Sequence, residues 1–419
     1  MDYPDINDTY KIIGGDAFIN AGYSGIGIRV GVIEEKRPIL SGMGSDSNNI
    51  TIVPNSAEIT GEHPTMVCGI IKKFAPSCSI YTYALGNSPS YVVDACRDLI
   101  NDYSVHVINL SIGSCYGMYT EFARRIDRII RNTKVSIVVG AGNADTHERK
   151  LDDGEVEVEI DSLKTNILGM AGNAITVGNA KTNGTNPDAS GAFTLSWNSC
   201  YDEYSAINKP DICAPGYIHI YDYGDYGTSY AAPHVTGTVV QMMARNPAFV
   251  DQPQKIKAAL LASATRNCGT TFFEDRLMSD YEGAGVVDAE FCYRLSKAGR
   301  STHFDATSNS DSFTHDVYCD YTTKPFRIAC TWEAAAKGSG AVLYVTNYNL
   351  TVKKNGVTVA ECKTNVSTGS NKYFNSKIIE IPTSVLRENG GGFYTVEISR
   401  DGEFKGTGTV RIGLAWEQD

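Results

Sequence analysis

The sequence lacks the features that mark membrane proteins and nucleic-acid-binding proteins. Its 419 residues contain no apolar run that approaches the ~20 residues of a transmembrane helix. Acidic residues outnumber basic ones by 48 to 37, and the net charge of -11 argues against a nucleic-acid partner or an anionic membrane surface. The same excess of negative charge favours neutral or cationic substrates.

Recognisable targeting signals and paired metal-binding cysteines are also missing. The N-terminal segment MDYPD has no basic stretch followed by an apolar one, and no propeptide is recognisable before the first predicted strand. The eleven cysteines are an odd number without metal-ligand spacing, so the sequence predicts no metal centre. So many free thiols favour a reducing compartment. We therefore expect a cytoplasmic protein, with a secreted mature form as the alternative.

The length and composition are those of a folded protein with a sizeable core. Apolar residues make up 42% of the chain and charged residues 20%, which is ordinary for a globular protein. The chain is long enough for one large domain and a smaller one. Up to residue 289, short β-branched runs alternate with helical patterns. This alternation predicts an α/β fold with a parallel sheet and right-handed crossovers.

The most informative stretch is residues 227–237, GTSYAAPHVTG, where a serine stands between a glycine and an apolar helix. Gly227 lets another backbone approach closely, and Pro233 is tolerated only near the start of a helix. Ser229 is then expected at a helix N-terminus, where N–H groups and the helix dipole stabilise a developing anion. A lone serine in this position is more often a simple helix cap, so the pattern alone leaves both interpretations open.

Three polar residues elsewhere suit the same chemistry. The apolar strand 27–33 leads into Glu34, a helix begins near His63, and strand 135–142 ends at Asn143. The carboxyl ends of parallel strands face a common cleft, where such groups are expected to meet. The order carboxylate, histidine, serine is one of the chain orders in which catalytic triads occur.

These stretches resemble the motifs of the subtilisin-like serine proteases, the subtilases. The serine stretch matches the pattern G-T-S-x-A-x-P-x-V-x-G throughout, and HPTMVCGII, GAGN and KPDICAPG resemble three further family segments. The resemblance recurs in order as far as Ala289. It implies a subtilisin-like three-layer α/β domain with a mostly parallel sheet, and an endopeptidase that acts on proteins or peptides.

The resemblance implies a role for each matched residue. Ser229 is expected to attack the peptide carbonyl, with His63 as general base and then general acid. The side chain of Asn143 and the N–H of Ser229 are expected to bind the oxyanion. Extended substrate is expected to pair with the ends of two strands, at Ser111, Ile112, Gly113, Ala141 and Gly142.

Glu34 is the chief departure from the family pattern, which has an aspartate at the end of this strand. Glutamate can orient a histidine as aspartate does, and Ser-His-Glu triads occur on other hydrolase folds. The alternative is that Glu34 is solvated and the triad is broken, which would make the protein a peptide-binding or scaffolding pseudoprotease. An esterase or a peptide ligase that uses the same residues is a third interpretation.

The acidic run 152–161 has no counterpart among these motifs. It alternates charged and apolar residues, which predicts a half-exposed strand in a solvated hairpin. A functional interpretation is that these carboxylates lie at the edge of the cleft and select substrates with basic side chains, or that they bind calcium as a structural ion. The chemistry itself requires no cofactor.

The composition changes near residue 298, where turn signals begin to separate short β-branched runs. This spacing predicts a small all-β sandwich, similar to the jelly-roll domains that follow many subtilases. We therefore expect a catalytic domain over residues 1–297 and a C-terminal β-sandwich domain over residues 298–419. Strands are predicted at 326–332, 341–345, 350–353, 377–381, 394–399 and 408–416.

The sequence leaves open the cleavage specificity, the natural substrate, the oligomeric state and the role of the second domain.

Overall fold

The computed structural model describes residues 3–54, 56–86, 89–150, 156–160, 163–201, 207–272, 277–319, 323–336, 343–363, 375–406 and 408–418. Nine α-helices lie within these residues: α1 (Ile6–Ile12), α2 (Asp16–Asn20), α3 (Glu62–Phe74), α4 (Val92–Tyr103), α5 (Glu121–Thr133), α6 (Thr228–Arg245), α7 (Pro253–Ser263), α8 (Ala289–Leu295) and α9 (Thr383–Asn389). None of the helices in the described part of the chain has the length and apolar character needed to span a bilayer.

The strands in the described residues are β1 (Arg29–Glu34), β2 (Arg37–Pro38), β3 (Ile50–Ile52), β4 (Thr60–Gly61), β5 (Ser79–Ala84), β6 (Val107–Leu110), β7 (Ser136–Gly140), β8 (Thr146–Lys150), β9 (Val156–Ile160), β10 (Ile175–Thr182), β11 (Phe193–Leu195), β12 (Ile212–Pro215), β13 (Tyr217–Ile220), β14 (Tyr223–Tyr226), β15 (Ser301–Ala306), β16 (Ser312–Cys319), β17 (Phe326–Trp332), β18 (Ala335–Ala336), β19 (Leu343–Tyr344), β20 (Asn347–Lys354), β21 (Val357–Cys362), β22 (Ser376–Ile381), β23 (Gly392–Asp401) and β24 (Val410–Gln418).

A mostly parallel sheet forms the centre of the N-terminal part, as the sequence predicts. Its strand order is β11-β10-β7-β6-β1-β5-β3, with β12 beside β10. The pairing of β10 with β11 is antiparallel, and the remaining pairings are parallel. Strands β6 and β7 are buried along their whole length, as is typical of strands covered by helices on both faces.

Helices pack on both faces of this sheet and complete three layers. Val30 and Val32 of β1 lie in one core with helices α3 and α6, whereas Ile33 lies in a second core with α4 and α5. This division follows from strand geometry, since successive side chains of a strand point to opposite faces. Helix α6 is buried almost throughout, which explains its apolar composition.

The order of the strands decides where the site lies. Strand β1 pairs with β6, and β6 pairs with β7, all in parallel. Their carboxyl ends therefore lie side by side, and the residues that follow each strand share one edge of the sheet.

The predicted strand in the acidic run is present as β9, which pairs with β8 in an antiparallel hairpin. This confirms a hairpin strand at Val156–Ile160. Residues 151–155 and 161–162, which carry several of the acidic side chains, lie outside the described residues. The proposals that this run binds calcium or selects basic substrates therefore stay predictions.

The C-terminal part contains two four-stranded antiparallel sheets, with orders β15-β24-β17-β22 and β16-β23-β20-β21. Strand β17 has the predicted bounds, while β22, β23 and β24 include or overlap the predicted runs. The predicted strand 341–345 is present only as Leu343–Tyr344, and residues 341–342 lie outside the described residues. Helix α9 was not predicted. The jelly-roll connectivity and the domain boundary at residue 297 stay predictions.

Helix α7 joins the two parts, because one C-terminal sheet packs directly on it. All eleven of its residues are buried. The hydroxyl of Thr331 donates to the carbonyl of Gln254 at 2.7 Å. A Cβ atom at Gly413 would lie only 2.4 Å from the backbone of Gln254, so a glycine permits this close approach.

Candidate active site

Glu34 and His63 meet at the carboxyl edge of the sheet. Glu34 is the last residue of β1 and is only 2% exposed, whereas Glu35 beside it is exposed. Helix α3 begins at Glu62 and therefore holds His63 in its first turn. The Nδ1 atom of His63 lies 3.0 Å from Oε2 of Glu34. The interpretation in which Glu34 is a solvated residue is therefore wrong.

The electrostatics of this pair follow from its burial. Burial raises the pKa of Glu34, and the nearby charge and hydrogen bond of His63 oppose that rise. Burial lowers the pKa of His63, but the charge and hydrogen bond of Glu34 outweigh it, so the net shift is upward. The carboxylates of Asp225 and Glu35 add to the upward shift. Oε1 of Glu34 has no hydrogen-bond partner among the described residues.

Ser229 lies in the first turn of α6, which begins at Thr228, as the sequence predicts. Its Oγ donates a hydrogen bond to the carbonyl of Ser111 at 3.1 Å. Ser111 follows β6, so the serine helix is held directly against the strand that is expected to bind substrate. His63 lies nearby, since its ring centroid is 5.2 Å from that of Tyr230, the residue after Ser229.

Pro233 lies deeper in the helix than the sequence suggests. It is the sixth residue of α6, where a proline cannot donate the usual backbone hydrogen bond to the carbonyl four residues earlier. That carbonyl belongs to Ser229. The side chain of Ser111 takes the place of the missing donor, with its Oγ 2.7 Å from the Ser229 oxygen.

Two fully buried polar residues hold Ser111 in turn. Nδ2 of Asn109 donates to Oγ of Ser111 at 2.9 Å, and Oγ1 of Thr236 donates to Oδ1 of Asn109 at 2.9 Å. Sequence reasoning did not assign a role to Asn109 or Thr236. The available signal was an asparagine within the otherwise apolar strand β6, because a buried amide must find partners.

Asn143 is held in place by Thr228, the residue before Ser229. Its Oδ1 accepts from the N–H of Thr228 at 2.9 Å, and the hydroxyl of Thr228 accepts from the N–H of Gly142 at 3.0 Å. The amide oxygen is thus occupied, and Nδ2 carries the hydrogens that the Asn143 side chain can donate. Gly227 allows the close packing, since a Cβ atom there would lie 3.0 Å from Nδ2.

Two cavities lie on either side of the segment 111–113. The serine-side cavity, of about 680 Å³, is lined by this segment together with Cys115, Gly142, Asn143 and Ser229. The histidine-side cavity, of about 280 Å³, is lined by the same segment with Glu34 and His63.

Four of the five predicted substrate-binding residues, Ser111, Ile112, Gly113 and Gly142, therefore line a cavity. Ala141 is fully buried behind the wall. Its N–H donates to the carbonyl of Val177, and its own carbonyl accepts from the N–H of Asn166. Its backbone groups are thus already paired within the fold.

Tyr230 and Asp225 are further neighbours of His63 that the sequence did not indicate. The hydroxyl of Tyr230 donates to Oδ2 of Asp225 at 2.7 Å, and the Tyr230 ring packs against the imidazole of His63. No group of three or more metal-ligating side chains occurs among the described residues.

Comparison with known proteins identifies the family. Residues 44–286, more than half of the chain, match the model of the subtilase family of S8 peptidases. No curated protein matches the chain. Three similar solved structures are the MycP3 protease from the type VII (ESX-3) secretion system, the prenylagaramide maturation protease PagA and a lanthipeptide protease.

The likeness to these structures is distant. Sequence identity is 16% for MycP3, 19% for PagA and 17% for the lanthipeptide protease, with TM-scores of 0.46, 0.47 and 0.47. The alignments cover 70%, 68% and 70% of this chain and 89%, 98% and 96% of the respective neighbours. The assignment therefore depends on the family match over residues 44–286. The chain belongs to the subtilase family of serine proteases.

Proposed function

We propose that this subtilase is an endopeptidase that hydrolyses peptide bonds through an acyl-enzyme, with Ser229, His63 and Glu34 as its triad. The observation that carries the proposal is the 3.0 Å contact between Nδ1 of His63 and Oε2 of the buried Glu34. A carboxylate that accepts from Nδ1 leaves the other ring nitrogen, Nε2, free to accept a proton. Glu34 then performs the role that aspartate has elsewhere in the family.

The first half of the reaction forms the acyl-enzyme. His63 Nε2 takes the hydroxyl proton of Ser229 while Oγ attacks the carbonyl carbon of the scissile bond. The resulting tetrahedral intermediate collapses when imidazolium His63 gives its proton to the departing amine. In the second half, a water gives a proton to His63 and attacks the ester, and Ser229 recovers its hydroxyl.

The oxyanion is held by Nδ2 of Asn143 and the backbone N–H of Ser229. The support for this pairing is the bond from Thr228 to Oδ1 of Asn143, which leaves the amide hydrogens as the free donors. In subtilisin, a member of this family, loss of the corresponding side-chain donor costs ~10²–10³ in kcat.

Ser111 is proposed to change partners when substrate binds. Its carbonyl accepts from the Ser229 hydroxyl at 3.1 Å. A substrate backbone N–H that pairs with this carbonyl would compete for the acceptor and release the hydroxyl towards His63. The substrate would thereby help to form the hydrogen bond along which the proton moves.

The substrates are proteins or peptides. The charges near the cleft favour neutral or cationic segments, because Glu35 and Glu62 line the histidine-side cavity and Asp145 lines the serine-side cavity. Lys36 is the opposing charge in the histidine-side cavity. The proposal requires no cofactor, and calcium in the acidic run remains a separate prediction.

The pseudoprotease is the second candidate, and one observation favours it. The Ser229 hydroxyl donates to the carbonyl of Ser111, and no hydrogen bond joins it to His63. In free enzymes, however, catalytic hydrogen bonds are often formed only when substrate is bound. The two candidates differ in whether Ser229 reacts at all.

The deciding experiment combines fluorophosphonate labelling with hydrolysis of a chromogenic peptide set. Wild type is compared with Ser229→Ala and Glu34→Ala, and Glu35→Ala is the control that removes the neighbouring exposed carboxylate. We expect labelling and hydrolysis in wild type and neither in Ser229→Ala. The rate of hydrolysis is expected to fall by several orders of magnitude in Glu34→Ala but not in Glu35→Ala. A folded wild type that neither labels nor hydrolyses would support the pseudoprotease. Unchanged hydrolysis in Glu34→Ala would mean that another carboxylate orients His63.

A further inference from the structure

The serine-side cavity contains a pair of thiols. Sγ of Cys200 lies 3.3 Å from Sγ of Cys115 and donates to it. Cys115 is partly exposed and lines the cavity, whereas Cys200 is fully buried behind it. All eleven cysteines lie within the described residues, and the other nine are buried as well. Cys115 is therefore the thiol that a reagent in the cleft meets first.

Cys115 also touches the segment that carries Asn143. Its Sγ contacts the carbonyl of Asn143 at 3.5 Å. It packs so closely on Gly142 that a Cβ atom there would lie 2.4 Å from the sulfur. Any displacement of Cys115 is therefore transmitted to the backbone of the residue that we propose as oxyanion donor.

The two cysteines belong to different segments of the chain. Cys115 forms a β-bridge with Asn166, while Ser199, which precedes Cys200, forms a β-bridge with Asn143. A covalent bond between the two sulfurs would join residues 85 positions apart in the chain. It would tie these two segments together immediately beside Asn143.

We propose that Cys115 and Cys200 form a reversible disulfide that reduces the activity of this site when a low-molecular-weight disulfide is present. The thiolate of Cys115 attacks glutathione disulfide, forming a mixed disulfide and releasing one glutathione. The thiol of Cys200 then loses its proton and attacks the mixed disulfide at the Cys115 sulfur, releasing the second glutathione. Two thiols are oxidised and one external disulfide is reduced to two thiols, so electrons and protons balance.

The environment of the pair suits this order of events. The hydrogen bond from Cys200 lowers the pKa of Cys115 below its ordinary value, although burial and Asp145 oppose this effect. The same hydrogen bond raises the pKa of Cys200, and burial adds to the rise. Cys115 is thus the more accessible of the two thiols, and a larger fraction of it is deprotonated. The thiolate is the form that attacks a disulfide.

The geometry explains why oxidation would affect catalysis. A disulfide bond is ~2.05 Å long, so the two sulfurs must approach by roughly 1.3 Å. A displacement of ~1 Å in a group that positions the reacting atoms can cost on the order of 10² in rate. The effect on hydrolysis rests on the proposed function, whereas formation of the disulfide does not.

The test treats the full chain with glutathione disulfide, alkylates the remaining thiols and identifies them by peptide mass. Peptide hydrolysis is measured in parallel, before and after reduction with dithiothreitol. In wild type we expect Cys115 and Cys200 to become protected, and kcat/KM to fall roughly ten- to hundredfold and return on reduction. Cys96→Ala, which removes a buried thiol in α4, is the control and is expected to behave as wild type.

Two variants separate the steps, each compared with its own reduced form. Cys200→Ser is expected to stop at the mixed disulfide, with glutathione retained on Cys115. Cys115→Ser is expected to leave Cys200 free and hydrolysis insensitive to glutathione disulfide.

Three results would overturn the proposal. The first is that both thiols of wild type stay free, and the second is that wild type stops at the mixed disulfide. The third is that the disulfide forms without a change in hydrolysis, which would overturn its effect on activity. If the reduced wild type hydrolyses nothing, the proposed function fails, and the alkylation pattern still decides whether the disulfide forms.

Discussion

The hydroxyl of Ser111 donates a hydrogen bond to the carbonyl of Ser229 at 2.7 Å, and this is the carbonyl that Pro233 leaves without its helical donor. The first residue of the proposed substrate-binding segment thus completes the first turn of the helix that carries Ser229. Asn109 and Thr236 extend the connection into the core. The position of Ser229 therefore depends on a chain of buried side-chain hydrogen bonds.

Removing the hydroxyl of Ser111 is expected to impair turnover. Ser111→Ala leaves the Ser229 carbonyl without a donor, which typically costs ~1–3 kcal/mol at a buried site. We expect kcat to fall about tenfold, with a smaller change in KM, because the Ser111 backbone remains in place. Steady-state kinetics measure both values, and Ser114→Ala, which removes an exposed hydroxyl just after residues 111–113, is the control. A kcat equal to that of wild type would show that the hydrogen bond does not position Ser229.

Replacing Glu34 is expected to change both the rate and its pH dependence. His63 must be neutral to accept a proton, so activity rises with pH through the pKa of His63, which lies above its ordinary value. Glu34→Gln removes the charge that raises this pKa, so the rising limb of kcat/KM is expected to move to lower pH. The rate itself is expected to fall by on the order of 10³–10⁴, because the amide no longer holds the required tautomer. A pH profile of kcat/KM checks both effects, and an unmoved limb would contradict the assignment.

Asp225 is expected to tune His63 without taking part in the chemistry. Its charge raises the pKa of His63, and it is exposed at the surface of β14. Asp225→Asn should move the rising limb to lower pH, in the same direction as Glu34→Gln but by less, and high salt should diminish the difference. Asp222→Asn, which removes an exposed charge from the residue just before β14, is the matched control. Equal pH profiles for Asp225→Asn and wild type at low salt would refute the prediction.

The buried ion cluster of Asp211, Lys209 and Lys257 is expected to be important for stability. Asp211 lies 2.7 Å from the ammonium groups of both Lys209 and Lys257, and all three side chains are buried. Asp211→Asn leaves two buried cations without their counter-charge, for which a loss of ~3–5 kcal/mol in the free energy of unfolding is expected. Urea denaturation measures it. Asp188→Asn, which breaks an exposed ion pair with Arg266, is the control and should change stability by less than ~1 kcal/mol.

The C-terminal sheets are expected to be needed for solubility of the catalytic part. All eleven residues of α7 are buried, and strands β17 and β24 cover one side of this helix. A chain that ends at residue 297 would expose that side as an apolar patch, and we expect it to aggregate. Size-exclusion chromatography of the truncated and full chains checks this, and a monomeric, cooperatively unfolding 1–297 chain would show that the catalytic part is independent.

The placement of the candidate site residues near element ends could be predicted from local patterns, whereas their roles were implied by the resemblance to the subtilases. The strand before Glu34 is a β-branched run, and the helix at His63 begins with a proline in its first turn. Such short-range patterns depend on backbone sterics and side-chain periodicity, which operate within a few residues of the chain. The handedness of the crossovers then restricts the strand orders that the sheet can adopt.

The expectation for Pro233 was less accurate, and the reason is a tertiary contact. Local rules permit a proline only in the first turn of a helix, whereas the structure has it as the sixth residue. The cost of the missing donor is offset by Ser111, which lies 118 residues before Ser229 in sequence. A propensity calculated along the chain contains no information about such a partner.

The sequence by itself determined the α/β class, the parallel sheet and the positions of Glu34, His63, Asn143 and Ser229 at element ends, because these follow from local patterns. Only the tertiary structure decided that Glu34 is buried against His63 and that Ser111 supports the Ser229 carbonyl. It alone brought Cys115 beside Cys200, 85 residues further along the chain. The physical reason is that burial, hydrogen-bond partners and shifted pKa values arise from atoms brought together by packing, and their separation along the chain does not specify those contacts.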